Sequence, residues 1–297
     1  MSGCQLCPRG CGVERPLSVS DGGPFGVWGV GRLPVVARAA PHFGEEPCIS
    51  GTRGAGTVFF SGCTRQCVYC QNHEISTGRF GREVTVERLR EIFDSLIAQG
   101  VHNLDLVTPM HFTPAVLEAL ERPISVPVIV NTGGYENVTT LRQWKGKADI
   151  YLPDLKYTDD DMALRYSRAA DYPEKAKAAI TEMVRQTGPY VLDDDGLMRR
   201  GVIIRHLMLP GGLADTCRVI DWVASEFGNT VMFSLMSQYT PVREIDGFPA
   251  LNRRLTTREY TRAMEHLEKR GITAGYTQAL GSATVTEIPA FDLTGIV

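Results

Sequence analysis

Cys63, Cys67 and Cys70 follow one another at spacings of three and two intervening residues, directly after the apolar run at 57–60. Cysteine thiolates this close together hold soft metal centres, and iron–sulfur clusters are bound at such spacings. A [4Fe–4S] cube takes four ligands, so three thiolates leave one iron open to a substrate or cofactor, as a catalytic site requires. The alternatives are a zinc site or a ferredoxin-type site completed by Cys48 or Cys217.

A second cysteine triplet lies near the start of the chain, where Cys4, Cys7 and Cys11 are separated by two and three residues. This spacing favours a second metal site that holds zinc or another iron–sulfur cluster. A closed structural site needs a fourth ligand, for which Cys48 and His42 are the candidates. The alternative is a small structural knuckle that orders a segment too poor in apolar residues to fold alone. We expect metal binding, in a structural and not a catalytic role.

The composition is that of a soluble globular protein, with 43% of the 297 residues hydrophobic and 22% charged. The formal net charge of −3, from 31 basic and 34 acidic side chains, does not suggest a nucleic-acid binder. No apolar run is long enough to cross a membrane, and the first residues lack the features of a signal peptide. Clustered cysteines are typical of metal binding in a reducing compartment. We therefore expect a cytoplasmic protein without a membrane or nucleic-acid partner.

The chain divides into two parts of different character. Residues 1–56 are rich in Gly and Pro and lack a sustained hydrophobic period, so we expect a cysteine-rich irregular extension there. Residues 57–297 alternate short apolar runs with helical patterns, which predicts six β-then-α units around a parallel sheet. The predicted strands are 57–60, 103–108, 126–131, 149–152, 201–207 and 230–235. This α/β pattern predicts a partial (β/α)6 barrel, in which chemistry gathers where the strands end.

The cysteine loop, with the pattern C-x3-C-x2-C, resembles the signature loop of the radical S-adenosylmethionine (radical SAM) superfamily. Within that superfamily the chain is most similar to the branch described as pyruvate formate-lyase activating enzyme-like, which includes activases of glycyl-radical enzymes. The matching segments are FFSGC at 59–63, CQN at 70–72, TPMHF at 108–112, NTGGY at 131–135, YLPDLKY at 151–157 and RHLMLPG at 205–211. The resemblance runs from Cys4 to about Gln278, nearly the whole chain.

This resemblance implies a partial barrel that holds a [4Fe–4S] cluster on Cys63, Cys67 and Cys70. SAM then chelates the fourth iron through its amino and carboxylate groups. One electron from the reduced cluster cleaves the sulfonium C–S bond, and the resulting 5′-deoxyadenosyl radical abstracts a hydrogen atom from a substrate. The activase-like branch implies that this substrate is a glycyl-radical enzyme. A donor such as flavodoxin or ferredoxin is then expected to supply the electron.

Polar side chains at the predicted strand ends are candidate contacts for SAM. Asn131 and Asp154 are placed to accept hydrogen bonds from its amino or ribose groups, and Lys156 or Arg205 to pair with its carboxylate. Tyr69, inside the cysteine loop, is a candidate to lie against the adenine. In the activases, the residue that matches Asp154 belongs to a monovalent-cation site, and the one that matches Lys156 contacts the cofactor.

Four further residues complete the predicted site. Thr132, with the residue before it, matches an Asp-Thr pair at the activases' cation site. Thr108 opens the segment that stands where activases carry Gly-Gly-Glu, the motif that holds the methionyl amino group. Gln238 follows the sixth strand and is also predicted to contact the cofactor. His111 follows the second strand and is a candidate catalytic residue, although an isolated histidine is more often a hydrogen-bonded structural group.

The sequence departs from the activases in ways that leave the substrate open. No room exists after Cys70 for the ferredoxin-like insert that activases often carry, and Trp28 stands where relatives often have a further cysteine. Radical modification of a small molecule, a peptide or RNA is the alternative enzyme function. A closed pocket favours a small molecule, and a broad open face favours an activase. The alternative outside enzymes is an iron–sulfur electron carrier or scaffold, which has no use for cofactor ligands at the strand ends.

Overall fold

A computed structural model describes residues 3–280 and 289–297 of the chain. Within these ranges, ten strands form one sheet, and nine α-helices connect and cover them. The strands are β1 (Val35–His42), β2 (Ala55–Phe60), β3 (Arg82–Glu83), β4 (Leu104–Val107), β5 (Val128–Thr132), β6 (Ile150–Pro153), β7 (Val191–Leu192), β8 (Met198–Leu207), β9 (Met232–Met236) and β10 (Gly275–Thr277). The helices are α1 (Pro47–Ser50), α2 (His73–Ser76), α3 (Val86–Ala98), α4 (Thr113–Ala119), α5 (Val138–Leu141), α6 (Asp160–Ser167), α7 (Tyr172–Thr187), α8 (Leu213–Glu226) and α9 (Thr257–Lys269).

The six strands predicted from the sequence lie side by side in chain order, as β2, β4, β5, β6, β8 and β9. Every contact between neighbours in this series is parallel. A further strand, β10, continues the sheet beside β9 in the same direction, and β1 borders β2 in the opposite direction. In the described part of the chain the end strands β10 and β3 do not pair with each other, so the sheet stays open. The predicted partial barrel is confirmed, with one more parallel strand than expected.

The parallel strands form because their apolar residues are covered on both faces. Strands β2 and β6 are buried along their whole length, which explains why they read as continuous apolar runs and not as alternating ones. Helix α3 is capped by Thr85, whose hydroxyl accepts a hydrogen bond from the backbone N–H of Arg88. The longest helix in the described ranges, α7, has 16 residues, and none of the helices there is long and apolar enough to cross a membrane.

The boundary predicted after residue 56 needs a correction, because it falls inside β2 and because β1 lies in the segment expected to be irregular. The first strand runs antiparallel to β2, with Ala39 opposite Val58 and Ala40 opposite Thr57. Its alanines, and Pro41 next to its last residue, give little strand signal on their own. Pairing with β2 therefore creates this strand, and the irregular part of the extension ends near residue 34.

Residues 3–34 pack against the end of the barrel that carries the cysteine loop. The side chain of Asn137 donates to the carbonyl of Gln5 at 2.7 Å, which ties the first triplet to the start of α5. On the other side, Arg9 Nε donates to the carbonyl of Thr64, inside the cysteine loop, at 3.1 Å. The extension thus bridges the loop after β5 and the loop after β2, and it fixes the position of the cysteine loop from outside.

Candidate active site

A cavity of about 500 Å³ lies at the carboxyl ends of the parallel strands. Its walls include all three cysteines of the loop and all eight residues predicted to contact a cofactor. These are Cys63, Cys67 and Cys70, with Tyr69, Thr108, Asn131, Thr132, Asp154, Lys156, Arg205 and Gln238. Carboxyl ends of parallel strands meet at one edge of a sheet, so residues far apart in sequence converge there. The structure therefore brings the predicted cluster loop and the predicted cofactor contacts around one cavity.

The cysteine loop is held by backbone hydrogen bonds at its start. Gly62 has φ +90°, and a Cβ there would lie 3.1 Å from the carbonyl oxygen of Trp28, so glycine allows the chain to turn directly after β2. Its N–H donates to the carbonyl of Ile75 at 2.9 Å. Cys67 is buried, while Cys63 and Cys70 are half-buried. The loop thus presents three sulfurs to one cavity.

The three cysteines fit a [4Fe–4S] cluster better than a single metal ion. Nowhere in the described ranges do three or more His, Cys, Asp or Glu side chains form a group that could hold one metal ion. A cube places each of its cysteine ligands on a different iron, so the sulfurs need not meet at one point. Neither Cys48 nor Cys217 lines the cavity, and the described residues therefore offer no fourth cysteine at this site. Three soft donors at one end of a cavity match a cluster with an open iron.

Arg65 supplies a buried positive charge beside the cysteines, and nothing in the sequence singled it out. Its guanidinium donates to the carbonyl of Gly133 at 2.8 Å, which joins the cysteine loop to the end of β5. Burial lowers the pKa of Arg65, but the charges of Cys63 and Cys67 outweigh burial and raise it well above its usual value. A Cβ on Gly133 would lie 1.5 Å from Arg65 Nη2, so only glycine leaves room for the guanidinium. The arginine offsets the negative charge that thiolate ligands bring.

Asp154 and Lys156 form an ion pair at the end of β6, with Lys156 Nζ 2.7 Å from Asp154 Oδ2. Burial opposes ionisation of Asp154, but Lys156 and Arg65 outweigh it and hold the pKa of the carboxyl below its usual value. The Tyr172 hydroxyl accepts a hydrogen bond from the Lys156 N–H at 2.9 Å and lies 2.8 Å from the Asp154 carbonyl oxygen. This hydroxyl fixes the backbone on both sides of the pair. The pair is thus a rigid, charged element of the cavity wall.

Arg205 requires a correction to the sequence prediction. It lines the cavity, but its Nε donates to Glu46 at 2.9 Å, and its Nη2 pairs with both Glu45 and Glu46. Arg205 is thus paired with two carboxylates and Lys156 with one, which makes Lys156 the better candidate to meet the carboxylate of SAM. The two glutamates follow β1, in the segment that the sequence predicted to be irregular. Their position beside β8 could not be foreseen without the pairing of β1 with β2.

His111 does not line the cavity, so its position does not support the catalytic role predicted from the sequence. Its ring is buried, its Nε2 lies 2.8 Å from the carbonyl oxygen of Ser61, and it packs 5.4 Å from the Trp28 ring. Burial and the nearby charge of Arg15 lower the pKa of His111 to about 3, so the neutral ring donates its N–H to Ser61. The 3-10 turn Met110–Phe112 places the ring behind the cysteine loop and outside the cavity wall. His111 therefore supports the loop structurally.

Thr108 adopts φ +61°, a left-handed conformation that β-branched residues rarely take. It stands at the end of β4, and its N–H donates to the Asn131 carbonyl at 2.8 Å. The backbone thus has a shape that glycine would adopt without strain, although the residue is threonine. Beside it, the Thr132 hydroxyl donates to Glu136, and Gln238 accepts from the Gln278 side chain at 2.8 Å.

The predicted second metal site loses its proposed fourth ligand. Cys48 lies in α1 within a separate apolar cluster, with its sulfur 4.0 Å from Met232 Sδ, and does not pack with Cys4, Cys7 and Cys11. Burial raises the pKa of the Cys7 thiol to about 12, and the charges of Cys4 and Cys11 add smaller increases. These two cysteines act on Cys7 because the three residues of the triplet lie close together. His42, the other candidate, packs edge-on against Phe59 at the cavity. Metal binding by the triplet stays a prediction, and Cys48 takes no part in it.

Glu136 gives the stability of the protein a specific pH dependence. Burial raises the pKa of Glu136 from 4.5 to about 7, against the opposing effects of the Thr132 hydroxyl and Arg65. The folded protein therefore holds this proton more tightly than the unfolded chain, and stability falls as pH rises from about 4.5 to about 7. Above that range the ionised carboxyl lowers the free energy of unfolding by about 3 kcal/mol, because each unit of pKa shift corresponds to about 1.4 kcal/mol.

We expect Glu136→Gln, which keeps the acceptor for Thr132, to remove this penalty. Urea unfolding between pH 5 and 8 should show wild-type stability falling relative to the variant, with the variant more stable at pH 8 by up to about 3 kcal/mol. Glu118→Gln, at an exposed position on α4, is the control and should follow the wild type. Identical pH profiles for Glu136→Gln and wild type would contradict the prediction.

The fold and site can be compared with known proteins. A family model described as the radical SAM superfamily matches residues 57–210. A curated protein of Methanocaldococcus jannaschii, described as uncharacterized, is 28% identical over 239 residues, which cover 77% of this chain and 65% of that protein. A radical SAM methyltransferase from Sphaerobacter thermophilus superposes with a TM-score of 0.53 at 16% identity, over 75% of this chain and 66% of that one. A domain of a pyruvate-formate lyase-activating enzyme from Bacteroides vulgatus gives 0.39 at 13% identity, over 65% of this chain and 91% of that domain.

These similarities establish the superfamily and the fold, and they leave the branch open. The chain spans slightly less than two thirds of the length of the curated relative and of the methyltransferase structure. The superposition on the methyltransferase supports the barrel fold and says nothing about methyl transfer here. The activase-like branch therefore stays a prediction. The family match, by contrast, covers more than half of the sequence and includes the cysteine loop and the Asp154–Lys156 pair. The chain belongs to the radical SAM superfamily.

Proposed function

We propose that this protein cleaves SAM reductively at a [4Fe–4S] cluster held by Cys63, Cys67 and Cys70, and uses the radical product to abstract a hydrogen atom from a substrate. The observation that carries this proposal is the single cavity that the three cysteines share with the predicted cofactor contacts. Its volume of about 500 Å³ lies within the range of sites that enclose one drug-sized ligand. An electron carrier would have no use for a cavity of this kind beside its cluster.

When bound, the cluster supplies the electron that breaks the sulfonium C–S bond of SAM. The residues of the chain bind and orient the cofactor. Lys156 offers its ammonium to the SAM carboxylate, and Asn131 offers an acceptor to the amino group or the ribose. The Tyr69 ring supplies an apolar surface for the adenine. Buried side chains, among them Phe59, narrow the cavity and limit the entry of water, which would otherwise quench a radical.

For the substrate, we propose a segment of a partner protein that carries a glycine to be converted to a glycyl radical. SAM is itself a ligand of the size that such a cavity encloses, so a reacting group has to approach from the mouth. Phe43 is 63% exposed and follows the cavity residue His42 in the chain. It offers an apolar contact at the mouth of the cavity. Residues 281–288, between the wall residues Gln278 and Pro289, lie outside the described ranges. The sequence motifs shared with the activase-like branch are the reason for choosing a glycyl-radical enzyme as this partner protein.

The substrate is tested by mixing the reconstituted protein anaerobically with SAM, a reductant and pyruvate formate-lyase, and recording electron paramagnetic resonance (EPR) spectra. A glycyl-radical doublet, formed with one 5′-deoxyadenosine per radical, is the expected result. The same experiment with reduced flavodoxin or ferredoxin in place of dithionite tests the proposed electron donor. Formation of 5′-deoxyadenosine without a glycyl radical would overturn the partner proposal and leave a small molecule, a peptide or RNA as the substrate.

A further inference from the structure

A chain of three buried hydroxyl groups ends on the sulfur of Cys67. The hydroxyls of Tyr69 and Tyr157 are 2.5 Å apart, and the Tyr157 hydroxyl is 2.9 Å from Ser167 Oγ. Ser167 Oγ in turn lies 3.0 Å from Cys67 Sγ. Tyr157 and Ser167 are fully buried, and Tyr69 and Cys67 are less than one tenth exposed. The four groups thus form a continuous hydrogen-bonded chain that water does not interrupt.

Ligation of Cys67 to iron would fix the direction of every hydrogen bond in this chain. A ligating cysteine is a thiolate and carries no proton, so it can only accept. Ser167 must then donate to the sulfur, which leaves its oxygen to accept from Tyr157, and Tyr157 in turn accepts from Tyr69. Hydrogen bonds aligned in this way polarise one another, so each hydroxyl strengthens the bond that reaches the sulfur.

Ser167 is held in place independently of the sulfur. It is the last residue of α6, and its carbonyl accepts a hydrogen bond from Arg9 at 3.1 Å. The following residue, Arg168, takes a left-handed conformation with φ +51°, and its N–H caps the end of α6 by donating to the carbonyl of Leu164 at 2.9 Å. The hydroxyl is therefore positioned by the end of α6 and by the N-terminal extension.

We propose that the Ser167–Tyr157–Tyr69 chain raises the reduction potential of the cluster, with Ser167 as the positioning residue that acts through Cys67. A hydrogen bond to a ligating sulfur stabilises the reduced cluster, which carries one more negative charge, more than the oxidised one. Tyr69 also lines the cavity, so the chain joins the cofactor pocket to a cluster ligand. This inference rests on the proposed function, since it requires a cluster on Cys67.

The test is an EPR-monitored redox titration of the anaerobically reconstituted full-length protein without SAM. The EPR signal to follow is the one that is lost in the Cys67→Ala protein. Its loss in that variant assigns the signal to the cluster bound by Cys67. Ser167→Ala should shift the oxidised-to-reduced equilibrium about tenfold towards the oxidised form, a fall of about 59 mV in midpoint potential for a one-electron couple. Tyr157→Phe, which keeps the ring and breaks the chain one step further from the sulfur, should shift it in the same direction by less.

Two controls separate this effect from a general loss of structure. Ser167→Thr restores a hydroxyl and should return the potential towards the wild-type value. Thr187→Val removes a buried hydroxyl at the end of α7 that donates to the carbonyls of Met183 and Gly188, and it should leave the potential unchanged. If Ser167→Ala and Tyr157→Phe bind the cluster at the wild-type potential, the inference is overturned and the proposed function stands. If the wild type binds no cluster on Cys67, both are overturned.

Discussion

A Cys67→Ala protein is expected to lose its cluster and to form no detectable 5′-deoxyadenosine. Cys67 is the middle cysteine of the loop, is buried, and has its sulfur 3.0 Å from Ser167 Oγ, so no water or neighbouring side chain can replace this sulfur without rearrangement. Two cysteines then remain for a cube that needs three protein ligands to leave one iron open. Iron and acid-labile sulfide contents, with chromatography of the reaction products, measure both losses.

Cys217→Ala is the matched control for this experiment. Cys217 lies in α8 and does not line the cavity, so this variant should keep both the cluster and the activity. Iron bound by the N-terminal cysteines could mask the loss of one cluster. The comparison is therefore repeated in a background in which Cys4, Cys7 and Cys11 are replaced by alanine. A Cys67→Ala protein that kept its cluster and cleaved SAM would show that the ligand assignment is wrong.

The second large effect is expected from Lys156→Met, which should weaken SAM binding roughly 30-fold while leaving the cluster intact. Arg205 is paired with two glutamates and Lys156 with the single carboxylate of Asp154, so of these two predicted cations Lys156 is the better placed to meet the carboxylate of SAM. Loss of a hydrogen bond to a charged group costs about 2 kcal/mol, which corresponds to that factor. Equilibrium dialysis of SAM against the reconstituted protein measures the dissociation constant directly.

Lys145→Met removes an exposed lysine outside the cavity and should bind SAM like the wild type. The cluster content of Lys156→Met has to match that of the wild type, so that weaker binding reports the lysine and not the open iron. Arg205→Met provides the opposite comparison, because our correction assigns this side chain to Glu45 and Glu46. Arg205→Met could weaken SAM binding without changing stability while Lys156→Met binds SAM like the wild type. That result would favour the original prediction that Arg205 pairs with the carboxylate of SAM.

The parallel strands and the cysteine loop could be predicted because their signals are local. The three cysteines lie within one loop, and runs such as Val202–Ile204 show burial on both faces without reference to the rest of the chain. The strand-end rule then placed Asn131, Asp154 and Lys156 at the correct edge of the sheet. The order of strands and helices along the chain is enough to place a residue at a strand end. This part of the site could therefore be predicted from the sequence.

The remaining features depend on contacts between distant segments. Glu45 and Glu46 reach Arg205 only because β1 pairs with β2, and the strand signal of β1 is weak. For His111 the strand-end rule failed, because a short 3-10 turn directs its ring towards the Ser61 backbone and away from the cavity. Ser167 ends a helix whose sequence shows only an amphipathic pattern. Its contact with Cys67 spans 100 residues and has no local signal.

The most direct test of the central claim is anaerobic reconstitution of the full-length protein with iron and sulfide, followed by incubation with SAM and dithionite. We predict 5′-deoxyadenosine and methionine in equal amounts, formed only when SAM, reductant and an intact Cys63–Cys67–Cys70 loop are all present. A protein that assembled its cluster on these cysteines, bound SAM and still produced no 5′-deoxyadenosine would contradict this account and support an electron carrier or scaffold.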